Sequence, residues 1–165
     1  MSTEVATKTV PVDDAKARET VSAAERLGAS DTTNLLEEIA RREAVAQQDE
    51  SVLTDPALDG GYATAEMALG DNLKEIGDRL MKVWIRRLHG VICGGSGSDE
   101  ERKKIADLAN LNESAAIAAV TAALLPFTSP LFAAPAAVII VREFLGPAAE
   151  ELCQYWAEKL EQPIG

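Results

Sequence analysis

His89 and Cys93 stand four residues apart, a spacing that puts two side chains on adjacent turns of one helix. The pair could begin a metal site or a thiol–imidazole couple. A structural zinc ion wants four ligands, and Cys153 with a carboxylate would have to complete the set from elsewhere. A nucleophilic thiolate wants a base in reach and a group that orients the base, and two turns of one helix build no pocket. His89 is the single histidine, which excludes both the paired Glu-x-x-His ligands of di-metal bundles and the H-E-x-x-H zinc helix. The expectation is a solvent-side histidine beside a helix-terminal cysteine, with no metal and no cofactor.

Two other patterns fail on their own chemistry. The run CGGSGSDEERKK, residues 93–104, is glycine-rich but lacks the Gly-Lys-Ser/Thr ending of a phosphate loop. It also sets Asp99, Glu100 and Glu101 where a bound phosphate would be repelled. Adjacent acids such as Glu37–Glu38 and Glu150–Glu151 arise by chance among 27 carboxylates, and each reads as a solvated face. No enzyme is predicted. Arg87 is a separate case, because a helical wheel sets it inside an apolar stripe near Val83, Trp84 and Val91. A buried charge without a partner is costly, so a structural ion pair with Glu143, Glu150 or Glu151 is expected, the alternative being that Arg87 lies near the end of the bundle and snorkels to water.

The elements that would carry these residues read as helices throughout, with no strand-like alternation of any length. Residues 1–12 form a tail, and 13–29 favour helix with Val21 and Leu27 as the only large apolar side chains. A better helix runs over 31–50, capped by Asp31, with a thin stripe of Leu35, Ile39 and Ala46. Pro56 and Gly60–Gly61 then break the chain. The strongest amphipathic pattern spans 63–93, where Leu69, Leu73, Ile76, Leu80, Val83 and Trp84 share a side. Ser98 and Glu101 make a capping box for the next helix, and Asn112 or Ser114 starts another. Gly146–Pro147 precedes a last amphipathic helix presenting Leu152, Cys153, Trp156 and Leu160.

Residues 115–141 contain no charge. Pro126, Phe127, Thr128, Ser129 and Pro130 read as the tight turn of a helical hairpin, with Pro135 in the first turn of its second helix. Each half is about 11 residues, about 16 Å of helix against a hydrocarbon core of about 30 Å, so neither spans a bilayer alone. Aromatic residues are only 4%, so Ala, Leu, Ile and Val must fill the core. The fold predicted is an all-α helical bundle, its central alanine-rich hairpin sheathed by the amphipathic helices 63–93 and 147–161.

The formal charge is −11, which disfavours nucleic acid as a partner. Residues 1–62 carry 6 basic and 13 acidic groups, a net of −7, and residues 63–165 hold the stronger helices. That mismatch predicts an acidic N-terminal region, 1–62, that docks on another protein through Leu35, Leu36 and Ile39, and a helical core over 63–165. The expected role is a non-enzymatic interaction or regulatory module. The alternative is a membrane-active protein, a toxin or immune effector, that inserts the hairpin 115–141, a layout pore-forming toxins also use. The N-terminal residues MSTEVATKTVPVDD have no apolar run, which predicts cytoplasmic residence, with membrane association through 115–141 as the alternative, and free thiols by default, a single Cys93–Cys153 bridge being left open. Homo-oligomerisation is left open.

Overall fold

A helix starts where a side chain can satisfy its first amide groups, and four starts in this chain follow that rule. The computed structural model describes residues 4–58, 72–93, 112–145 and 149–164, the side chains at 91–93 and 149–152 excepted. Among these residues lie seven α-helices, a 3-10 turn and no strand. They are α1 (Glu4–Thr7), α2 (Asp14–Leu27), α3 (Thr32–Gln48), the 3-10 turn Glu50–Thr54, α4 (Leu73–Cys93), α5 (Glu113–Leu124), α6 (Pro130–Phe144) and α7 (Ala149–Lys159). Asp13, Asp31 and Asn112 cap α2, α3 and α5 by accepting from Lys16 N, Asn34 N and Ala115 N, and Asp49 caps the 3-10 turn. The all-α bundle expected from the sequence is the observed fold.

The centre of the bundle is α6. From Pro130 through Ile140 every residue is buried, as a helix apolar on all sides must be. The main neighbours of α6 are α2, α5 and α3, so helices from the N-terminal region wrap it. The sequence expectation gave that wrapping to 63–93 and 147–161. In the structure α4 packs mainly on α3 and reaches α6 through side chains, Trp84 lying against Phe132 at 5.4 Å between ring centroids. The last helix, α7, closes one end: Trp156 stacks edge-on with Phe144 and donates to its carbonyl at 2.6 Å. A single hydrophobic cluster takes residues from both sides of position 62, including Leu35, Leu36 and Ile39 with Ile76, Leu80 and Phe132.

Two helices approach each other closely at Gly77. A Cβ built there would stand 1.9 Å from Leu36 O, so α4 lies on α3 backbone to backbone. Only glycine permits that contact. At the tight turn between α5 and α6, Thr128 Oγ1 donates to Ala6 O at 2.7 Å, and Trp84 Nε1 donates to the same carbonyl at 2.9 Å. One carbonyl of the short N-terminal helix thus holds α4 and the hairpin turn together. None of the described helices is long and apolar enough to cross a membrane.

Several sequence expectations fall outside the described residues: the start of the helix at 63–71, the Gly60–Gly61 break, the glycine-rich run 94–98, the capped helix after Ser98, and the Gly146–Pro147 break.

Candidate functional site

Proline inside a helix removes an N–H, which leaves the carbonyl four residues earlier without its partner. Pro135 lies inside α6, not in its first turn as the sequence predicted, because α6 already begins at Pro130. The carbonyl it orphans is that of Leu131, in the most buried of the described helices. Arg42 of α3 fills the vacancy. Its Nη1 donates to Leu131 O at 2.8 Å and to Pro56 O at 2.7 Å, while its Nε donates to Glu38 Oε1 at 2.9 Å. The residue is 2% exposed, and three acceptors on three segments fix its guanidinium. A buried charge is tolerated when it is paired and hydrogen-bonded, and both conditions hold here.

Arg42 was missed in the sequence, although its position carries a signal: it continues the Leu35, Ile39, Ala46 stripe at helical spacing. What it would meet there was not legible.

Beside Arg42 opens a cleft of about 440 Å³ between α2, α3 and the segment after the 3-10 turn. Arg26, Glu38 and Arg42 supply its charge, and Ala23, Leu27 and Leu58 are among its apolar walls. The volume falls in the range of small-molecule sites.

The residues singled out in the sequence are placed elsewhere. Leu35, Leu36 and Ile39, expected to meet a partner, are fully buried in the chain's own core. α4 packs closely on this side of α3, Gly77 lying against the backbone of Leu36. Arg87 is exposed, so the ion pair expected for it is not required. The buried positions of α4 drift around the helix, from Leu73, Ile76 and Leu80 to Ile85 and Leu88, and Arg87 falls off the later arc. Glu143, one of its three expected partners, instead accepts from Lys159 Nζ at 3.3 Å and from Thr32 Oγ1 at 3.0 Å. The side chains of Glu150 and Glu151 lie outside the described residues.

In the expected turn, Thr128 and Ser129 are buried, Phe127 is half-buried and Pro126 is exposed, while Pro130 is the first residue of α6. Ser129 occupies the cap position of α6 without a side-chain capping bond.

His89 and the cysteines also differ from expectation. His89 is half-buried, its Nε2 donating to Cys153 O at 3.0 Å and its ring 6.4 Å from that of Trp156. Cys153 is disulfide-bonded, and Cys93, at the end of α4, is the only other cysteine in the chain. Free thiols were expected from cytoplasmic residence; a disulfide is the state that oxidising compartments preserve. Among the described residues no three His, Cys, Asp or Glu side chains gather as a metal site.

One acid is buried on α3. Glu43 is 1% exposed, and burial raises its carboxyl above the usual range, partly offset by the hydrogen bond it accepts from Gln47 Nε2.

No family model matches the sequence, and neither a curated protein nor a solved structure is significantly similar to it.

Proposed function

We propose that the chain is a non-enzymatic interaction module that docks on another protein through the solvent side of its acidic N-terminal helices. Leu35, Leu36 and Ile39 take no part in this docking. The carrying observation is the charge of the outer face of α2 and its flanks. Asp13, Asp14, Glu19, Glu25 and Asp31 are exposed there, against Arg18 and Arg26. Asp13 and Asp31 are engaged as caps, Glu19 pairs with Lys16 at 2.9 Å and Glu25 accepts from Ser114 Oγ at 2.7 Å, exposed contacts that leave the face acidic and open to a partner's basic groups. A face of this sign steers and orients a basic partner, and such docking weakens as salt rises.

A photo-crosslinking residue in place of Ser22, exposed on α2, tests the reading. The expected product is one crosslinked protein, whose purified form binds in a salt-sensitive manner and loses affinity to the pair Glu19→Lys and Glu25→Lys. Crosslinks spread over many proteins, or a partner indifferent to the charge reversal, would remove it.

The membrane-active alternative draws support from α6, buried on all sides and uncharged up to Arg142. At 15 residues it is about 22 Å long, short of the hydrocarbon thickness of about 30 Å. Insertion would also require α2 and α3 to leave it. Flotation with liposomes and release of a trapped dye separate the two readings, and neither event is expected.

A further inference from the structure

The cleft beside Arg42 has features that the structural role of that arginine does not use up. Three hydrogen bonds occupy Nε and Nη1, while Nη2 takes no partner and is not among the sealed, unpartnered atoms of the described residues. Arg42 is 2% exposed and lines the cleft, its guanidinium held rigid by those three bonds. Arg26 stands on another wall, exposed and joined by hydrogen bond or ion pair to no described residue. With Glu38 also in the lining, the three charged side chains leave a single net positive charge. The remaining surface includes Ala23, Leu27, Ala57 and Leu58.

We propose that this cleft binds a small organic monocarboxylate, its carboxylate between Arg42 Nη2 and Arg26 and its apolar body against Leu27 and Leu58. The net charge of the lining selects a monoanion, because a phosphate dianion would carry its second charge towards Glu38. Guanidinium donors match a carboxylate in plane and spacing, and charge-assisted hydrogen bonds are the stronger class. Pre-organisation comes from the Pro135 gap: the group that repairs α6 holds Arg42 still, so a ligand would not have to order it.

Hexanoate serves as the probe, with 1-hexanol as the neutral control, in a titration of the 15N-labelled full chain followed by amide shifts. Saturable shifts around Leu27, Arg42 and Ala57 are expected with hexanoate. Hexanol should bind about tenfold more weakly or worse, the loss of one charged hydrogen-bonding contact. Arg26→Gln, an exposed change that leaves the fold and melting temperature alone, should weaken hexanoate by a similar factor and leave hexanol unchanged. The proposal is overturned by shifts that never saturate, by equal binding of acid and alcohol, or by an Arg26→Gln chain that binds hexanoate as tightly as the parent.

Discussion

Gly77→Ala puts one methyl group where α4 crosses α3, and the sign of its effect separates two pictures of the N-terminal region. In an isolated or solvent-facing helix, alanine in place of glycine stabilises by about 1 kcal/mol. In this structure the added Cβ would lie 1.9 Å from Leu36 O, 2.6 Å from Leu36 C and 2.9 Å from Leu36 Cα. All three are backbone atoms, so no side-chain rotation relieves the clash. The helices would have to part by about 1 Å across Leu36, Ile39, Ile76 and Leu80, and overpacking of this kind costs typically 1–3 kcal/mol or more. Against the propensity gain, a net loss of about 2 kcal/mol is expected, or a melting temperature about 4–8 °C lower for a chain of this size. Circular dichroism melts of parent and Gly77→Ala at equal concentration measure it. An unchanged or raised melting temperature would refute the reasoning, because it would mean that α3 does not rest on α4 and that Leu35, Leu36 and Ile39 are free after all.

The link between Arg42 and Pro135 predicts coupling. Arg42→Met strands two buried carbonyls and takes one of its partners from Glu38, a loss of about 3–5 kcal/mol, whereas Pro135→Ala returns an N–H to Leu131 O. The double variant should recover about 1 kcal/mol more than additivity allows, by denaturant titration, and strict additivity would dissolve the link. Cys153→Ser opens a loop of about 60 residues if Cys93 is its partner, which the chain-entropy estimate values at about 4 kcal/mol; melts with and without a reductant should agree for the variant and differ for the parent. Glu43→Gln should raise the melting temperature at neutral pH. A carboxyl raised in the folded state binds its proton more tightly there than in the unfolded chain, so stability falls as pH climbs above the ordinary value of 4.5. The advantage of glutamine should therefore fade as pH drops to that value and below, and an advantage independent of pH would count against a carboxyl that burial raises.

Much of the scaffold was legible in the residues themselves. Asp31 and Asn112 start helices because their side chains satisfy free amide groups, and Pro126 to Pro130 end one helix and begin the next because proline lacks the amide that a continuing helix needs. The absence of charge from 115 to 141 settles that those residues must be covered by something. What covers them was settled by tertiary structure. Leu35, Leu36 and Ile39 were visible as an apolar stripe, yet a stripe states which side of a helix avoids water and not whose surface it meets. Gly77 in the sequence looks like a weak point in a helix; only its place over Leu36 makes it a contact. Arg42 and the Leu131 carbonyl lie 89 residues apart, and Pro135 explains the vacancy without saying who fills it. Spacing along a chain fixes direction from a helix axis, whereas partnership between distant segments is fixed by how the helices cross.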